Sequence, residues 1–209
     1  MLWGGSPGAA SGIMAPMSED SVEVIADAIR GFTRRDVVAV ALDGFSGAGK
    51  STLAHRLADQ LDGAVIEGDD FYRVMDNSRR WALGPAEGVE RYFDWERLRD
   101  EALTPMRSGR MATYSPFDWA TGGGLSRHEV SVGPASVIIV EGVYSARPEL
   151  APVIDLAVLV DTSQRVRDQR IASRNHGHDR WHSRWTAAER YYFEHMRPRH
   201  SFDVVVPGE

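Results

Sequence analysis

The 209-residue chain contains no cysteine, and this absence removes a whole set of chemistries. Disulfide-stapled scaffolds, thiol nucleophiles and cysteine-ligated zinc or iron–sulfur centres are all excluded. Long apolar runs are also missing, since no window approaches the roughly 18 apolar residues of a membrane span. The first residues lack the basic start and apolar stretch of a signal peptide. We therefore expect a soluble, cytoplasmic protein without a membrane partner.

Lysine is nearly absent, because Lys50 is the only one and arginine supplies the rest of the 24 basic residues. Arginine pairs with phosphate through a planar fork of donors, so we expect arginines to make most of the side-chain contacts to phosphate. The 30 acidic residues give a net charge of −6. Nonspecific binding of nucleic acid needs a basic face, so we expect no nucleic-acid partner.

The order of apolar runs predicts one α/β domain. Residues 1–17 carry no charge and are rich in Gly, Ala, Ser and Pro, which favours a disordered leader before a domain at 18–209. Buried strands are predicted at 37–42, 64–66, 136–140, 156–160 and 204–206. Helices are predicted from Ser18 to Phe32, after residue 50, and at 94–107, 162–175 and 186–197. Such alternation is typical of a parallel sheet with helices on both faces. The segment 76–135 is predicted to be irregular and to form the substrate side of the site.

The strongest motif lies between the first strand and the next helix. It matches G-x-x-x-x-G-K-[ST], the loop whose backbone N–H groups cradle phosphates at a helix N-terminus. Lys50 would contact the β- and γ-phosphates of ATP, and the Ser51 hydroxyl would ligate Mg²⁺. The predicted nucleotide-binding residues are Gly44, Phe45, Ser46, Gly47, Ala48, Gly49, Lys50, Ser51 and Thr52.

Acidic residues that follow two of the predicted strands could complete a phosphoryl-transfer site. Glu141 ends an apolar strand, where a carboxylate can hold Mg²⁺ directly or through water. Asp69 and Asp70 follow another short strand, and a carboxylate there can accept the proton of an attacking hydroxyl and stay near the metal. The other reading is that one of this pair caps a helix. The guanine-reading motif N-K-x-D is missing, because neither Asn77 nor Asn175 precedes a lysine.

Three arginines, Arg167, Arg170 and Arg174, are spaced i, i+3 and i+7, which places them on one face of a helix. They could form a lid over 162–185 that closes on the transferred phosphoryl group. The alternative is a solvated helix face paired with Asp168.

These segments together resemble the uridine kinase family, within the phosphoribulokinase and pantothenate kinase group of P-loop kinases. The resemblance covers about 37–209, and the matching motifs occur in the same order as in the family. They are the phosphate loop, Asp69-x-Phe71-Tyr72, Tyr92-Phe93-Asp94, Phe117-Asp118-Trp119, Glu141-Gly142, the arginine helix and Asp203-Val204-Val205-Val206-Pro207. The fold implied is the three-layer P-loop NTPase fold with a lid.

The resemblance also implies roles for individual residues. Asp69 would be the general base and, with Ser51 and Glu141, would lie at the Mg²⁺ site. Tyr72 and Phe117 would line the acceptor site; Phe117 stands where the family has tyrosine. Pro207 would lie near adenine.

Asp94 would bind the sugar hydroxyls of the acceptor. Its alternative role is the N-cap of the following helix.

The predicted activity is ATP- and Mg²⁺-dependent transfer of the γ-phosphoryl group to a hydroxyl of a small molecule. The leading acceptor is the 5′-hydroxyl of a uridine- or cytidine-like nucleoside. The alternatives are another hydroxylated metabolite, such as a sugar, a pantothenate-like alcohol or a natural product, and a non-catalytic nucleotide-dependent switch. The sequence leaves open whether the protein forms a homo-oligomer.

Overall fold

The computed structural model describes residues 21–122, 124–173 and 179–208. The predicted leader 1–17, the expected cap Ser18 and the part of the predicted lid at 174–178 lie outside these residues. The strands are β1 (Val38–Asp43), β2 (Ala64–Glu67), β3 (Ala112–Tyr114), β4 (Val130–Val132), β5 (Val137–Glu141), β6 (Leu156–Asp161) and β7 (Val204–Pro207). Five of them form a parallel sheet in the order β2-β5-β1-β6-β7, so the predicted parallel sheet is confirmed.

Helices cover both faces of this sheet. They are α1 (Ser21–Arg30), α2 (Lys50–Leu61), α3 (Asn77–Ala82), α4 (Pro85–Arg91), α5 (Trp95–Arg97), α6 (Thr104–Arg107), α7 (Gln164–Ser173) and α8 (Asp179–Tyr191). Alternate residues of the central strands point to opposite faces. Val38 and Val40 pack with α1 and α2, whereas Ala39 packs with α4, α6 and α8. The result is the predicted three-layer α/β architecture.

The register of the central strands determines where the site forms. β1 is buried at every position, as expected for a strand with neighbours on both edges and helices on both faces. Leu42 pairs with Glu141 of β5 on one side and with Val158 of β6 on the other. The carboxyl ends of these three strands therefore meet at one edge of the sheet.

Two sequence predictions need correction. The segment 76–135 is not irregular throughout, because it contains α3, α4 and the antiparallel β3–β4 pair. Pro85 occupies the first turn of α4, where proline's fixed φ favours a helix start. The helix predicted at 186–197 begins at Asp179 and ends in a π-helical turn, Tyr192–Met196.

The helix predicted at 94–107 is present, but its centre, Leu98–Leu103, is π-helical.

In the described part of the chain, no helix combines the length and apolar character needed to cross a membrane.

Candidate active site

The phosphate-binding loop leaves β1 and enters α2 through three glycines with positive φ. The φ angles of Gly44, Gly47 and Gly49 are 150°, 76° and 100°, a region that side chains disfavour. A Cβ on Gly44 would lie 2.5 Å from the carbonyl oxygen of Val160 in β6. The glycine spacing recognised in the sequence therefore allows both the curl of the loop and its contact with the sheet.

Lys50 is largely buried within this loop. Its Nζ donates to the carbonyl oxygens of Gly44 at 2.9 Å and Phe45 at 3.1 Å. The cation is thus held at the centre of the loop, next to the backbone N–H groups that could bind phosphate.

Ser51 and Glu141 join the loop to β5. The Ser51 hydroxyl donates to Oε1 of Glu141 at 3.0 Å. Burial raises the pKa of Glu141, Lys50 opposes this shift, and the charge of Asp69 adds to it. A hydroxyl and a carboxylate are hard oxygen donors, and Mg²⁺ commonly takes one or two such groups with phosphate oxygens and water. Among the described residues there is no cluster of three or more potential acidic or histidine ligands.

Asp69 lies next to Glu141 because two glycines let the backbones approach. Asp69 is exposed on the 3₁₀ turn Gly68–Phe71 that follows β2. A Cβ on Gly68 would lie 2.8 Å from the carbonyl oxygen of Glu141, and one on Gly142 would lie 3.3 Å from the Cα of Gly68. The structure therefore brings Asp69, Glu141 and Ser51 to the same edge of the sheet.

Asp70 has a different environment from its neighbour. It is half-buried and hydrogen-bonded to Tyr114, and burial together with the charge of Glu67 raises its pKa to about 6. Asp70 therefore faces the interior, whereas Asp69 stays accessible at the sheet edge.

The predicted lid helix, α7, lies against the phosphate loop. The Arg167 guanidinium stacks over the Phe45 ring, 4.1 Å from its centroid. Arg170 donates from Nη1 to the carbonyl oxygen of Gly47 at 3.1 Å. Both arginines therefore contact the loop, and their role in a lid stays a prediction; Arg174 lies outside the described residues.

A cluster of aromatic rings lies at the predicted acceptor side. The centroid of Tyr72 lies 4.7 Å from that of Trp119, 5.4 Å from that of Trp185 and 5.6 Å from that of Phe117. Trp119 donates from Nε1 to the carbonyl oxygen of Asp69 at 3.2 Å. Tyr72 and Phe117 thus lie together beside the proposed base.

Arg80, which the sequence analysis did not single out, adds a buried cation to this cluster. Its guanidinium lies 5.3 Å from the ring centroid of Tyr72 and 5.1 Å from that of Phe117, and donates to the carbonyl oxygen of Arg73. Burial lowers the pKa of Arg80.

Asp94 stands at the start of α5, where its carboxylate accepts from the backbone N–H of Arg97 at 3.5 Å. The same oxygen lies 3.3 Å from Nη2 of Arg73. The capping geometry anticipated as an alternative is therefore present, and acceptor binding by Asp94 stays a prediction.

Two buried acids that support the loop were not found from the sequence. Asp43 accepts from the backbone N–H groups of Gly44, Tyr144 and Ala146 and from the Tyr192 hydroxyl. Burial raises the pKa of Asp43, and these hydrogen bonds oppose the shift. Its position directly before the loop was the only local signal.

Glu189 is the second such acid. Its carboxylate accepts from the backbone N–H of Ser46 at 2.9 Å and from the Ser46 hydroxyl, which also accepts from Nε1 of Trp185 at 2.9 Å. Trp185 and Glu189 are one helical turn apart, so their i, i+4 spacing could have indicated a shared face.

The residues that directly follow β6 and β7 contact the phosphate loop. Thr162 donates to the carbonyl oxygen of Ala48 at 2.8 Å, and a Cβ on Gly208 would overlap that same oxygen. Pro207 ends β7 directly before Gly208, and its predicted place near adenine stays a prediction.

A parallel sheet with a glycine-rich phosphate loop after β1, covered by helices on both faces, is the architecture of the P-loop three-layer α/β fold. No model of a known protein family matches the chain. The uridine kinase of Limosilactobacillus reuteri is 31% identical over 137 residues, which cover 62% of this chain and 61% of that protein. The phosphoribulokinase of Synechocystis sp. is 27% identical over 180 residues, which cover 81% of this chain and 53% of that protein.

A solved structure of a possible uridine kinase from Bacillus stearothermophilus has a TM-score of 0.66 at 23% identity and covers 88% of this chain and 96% of that one. This likeness confirms the fold. The two sequence relatives confirm the predicted resemblance to the uridine kinase-like group of P-loop kinases. The chain spans less than two thirds of the length of each of these curated relatives.

Proposed function

We propose that the chain is an ATP-dependent kinase that transfers the γ-phosphoryl group to a hydroxyl of a small molecule. One observation carries this proposal: Lys50, the Ser51–Glu141 pair and Asp69 converge at one edge of the sheet. These groups are a cation for phosphate, oxygen donors for a metal and a carboxylate that can take a proton, the set that phosphoryl transfer needs.

Each group has a role in the proposed reaction. The acceptor hydroxyl gives its proton to Asp69 while its oxygen forms a bond to the γ-phosphorus, and the bond to the β–γ bridging oxygen breaks to release ADP. Lys50, Arg167 and Arg170 stabilise the negative charge on the phosphoryl oxygens, and Arg174 is proposed to join them. Ser51 and Glu141, with Asp69 nearby, would hold Mg²⁺, which supplies charge neutralisation when bound.

We propose a uridine- or cytidine-like nucleoside as the acceptor, phosphorylated at the 5′-hydroxyl. The similarity to a uridine kinase supports it. So does the ring cluster of Tyr72, Phe117 and Trp119, because aromatic faces can stack on a planar base. A second candidate is another hydroxylated metabolite, which the similarity to a phosphoribulokinase favours. The proposal includes a cytoplasmic location.

The test is ATP turnover by the purified chain with Mg²⁺ and a panel of uridine, cytidine, D-ribose, D-fructose and pantothenate. A nucleoside kinase forms ADP and the 5′-monophosphate with the nucleosides, and its ADP formation rises with their concentration. Turnover with a sugar or pantothenate alone would favour the second candidate. ATP binding with no stimulation by any member would contradict the kinase proposal and favour a nucleotide-dependent switch.

A further inference from the structure

Tyr144 follows Glu141 by three residues and has an unfavourable backbone conformation. Its φ is 73°, in the left-handed region that bulky side chains rarely adopt. Two hydrogen bonds hold the chain there: the backbone N–H groups of Tyr144 and Ala146 donate to the two carboxylate oxygens of Asp43, at 3.1 and 3.0 Å. Strain of this kind persists where surrounding contacts impose it, and it is frequent at binding sites.

The Tyr144 side chain is fully buried, yet its hydroxyl has no hydrogen-bond partner in the described part of the chain. Buried polar groups are nearly always paired, so an unused donor of this kind needs an explanation. The neighbouring Tyr192, whose ring lies 4.8 Å away, follows the general rule and donates to Asp43 at 2.8 Å.

Tyr144 packs against Trp185, a residue that contacts both the phosphate loop and the predicted acceptor side. Its ring packs edge-on against Trp185, with centroids 5.4 Å apart. Trp185 in turn contacts Tyr72 of the aromatic cluster and donates to Ser46 of the loop. Burial raises the pKa of Tyr144, and the negative charge of nearby Glu189 raises it further.

We propose that Tyr144 is an acceptor-binding residue whose hydroxyl donates a hydrogen bond to an oxygen of the phosphate acceptor. This inference rests on the proposed kinase function and adds a specificity determinant to it. A fixed backbone and an unpaired buried donor are the properties of a preorganised recognition group. The partner must be an oxygen of a hydroxyl, carbonyl or similar group, which suits a polyhydroxylated or nucleoside acceptor and disfavours an apolar one at this point.

Tyr144→Phe tests the inference because it removes the hydroxyl and keeps the ring. With the panel member that wild type uses best, we expect the acceptor KM to rise about 5- to 10-fold, the effect of one neutral hydrogen bond. The KM for ATP should stay unchanged, and the melting temperature should stay the same or rise, because the variant loses a buried unpaired group. The control Tyr192→Phe breaks the bond to Asp43, so it should lower the melting temperature and leave the acceptor KM unchanged.

An acceptor KM within twofold of wild type in Tyr144→Phe would overturn the role of Tyr144 while leaving the kinase function intact. If no panel member stimulates wild-type turnover, the proposed function fails instead. Thermal shift with uridine or D-ribose then decides the role of Tyr144: stabilisation of wild type that Tyr144→Phe loses supports it, and equal or absent stabilisation overturns it.

Discussion

Glu189 and Ser46 are 143 positions apart in the sequence, and the carboxylate of Glu189 accepts from both the backbone N–H and the hydroxyl of Ser46. Ser46 lies in the first half of the phosphate loop, and Glu189 lies on α8. Arg170 of α7 donates to the carbonyl oxygen of Gly47, so both helices contact the loop. The shape of the loop therefore depends on α7 and α8 as well as on its own glycines.

The first prediction concerns this contact. Glu189→Ala leaves two partly buried donors of Ser46 without their acceptor, which should destabilise the fold by about 1–3 kcal/mol and raise the KM for ATP. Glu189→Gln keeps an amide oxygen at the same place and should recover most of both losses. Thermal melting and ATP titration measure the two effects. A Gln variant as damaged as the Ala variant would show that the negative charge itself is required.

Lys50 is the subject of the second prediction. Lys50→Ala should lower kcat with ATP on the order of 10²–10³-fold, because a preorganised cation facing the phosphoryl group is lost. Arg56→Ala is the matched control, since it removes one positive charge from an exposed position on the same helix. Its kcat should remain within about twofold of wild type. Normal turnover in a folded Lys50→Ala variant would refute the proposed role of the loop.

The third prediction separates two adjacent acids. Asp69→Asn should lower kcat by roughly 10²–10⁴-fold and leave ATP binding intact, because Asp69 is the proposed proton acceptor. Asp70→Asn should have a much smaller effect, since Asp70 faces Tyr114 in the interior. Steady-state kinetics and ATP binding by calorimetry distinguish the two variants. Equal losses of kcat in the two variants would contradict the assignment of Asp69 as the base.

The pH dependence of stability gives a fourth prediction, because the pKa of Asp70 rises from 3.8 to about 6 on folding. The folded state then holds the proton more tightly than the unfolded chain, so Asp70 stabilises the fold most below pH 4, and this contribution is lost as pH rises through 6. Asp70→Asn keeps an acceptor for the Tyr114 hydroxyl without this titration. Melting temperatures between pH 4 and 7 should fall less in the variant, and an unchanged slope would contradict the shift.

Asp94 supplies the fifth prediction. If it binds the acceptor, Asp94→Ala should raise the acceptor KM by a factor that corresponds to roughly 2–4 kcal/mol, while the KM for ATP stays constant. If its role is the helix cap and the pair with Arg73, the melting temperature should fall instead. Asp94→Asn is the control, because asparagine retains the capping oxygen. A normal preference for a 2′,3′-dihydroxy acceptor over its deoxy analogue in the Ala variant would refute the diol contact.

Much of the sheet could be predicted because a buried parallel strand is a short continuous apolar run, as in β1 and β5. The phosphate loop could be predicted for a similar reason, since its glycines, Lys50 and Ser51 are consecutive in the chain. The contacts of Glu189 with Ser46 and of Tyr192 with Asp43 could not, because partners 143 and 149 residues apart leave no local pattern. Asp94 was ambiguous because a capping and a ligand-binding aspartate look alike in sequence.

The scarcity of lysine has a practical consequence for covalent chemistry. Lys50 is the chain's only lysine, and its Nζ lies against the Gly44 and Phe45 carbonyls. A reagent that acylates amines therefore has one side-chain target, and the yield of that label reports how often Lys50 leaves these carbonyls. Any cellular modification that needs a lysine side chain would modify the same atom, and it would also alter the cation that is proposed to contact phosphate.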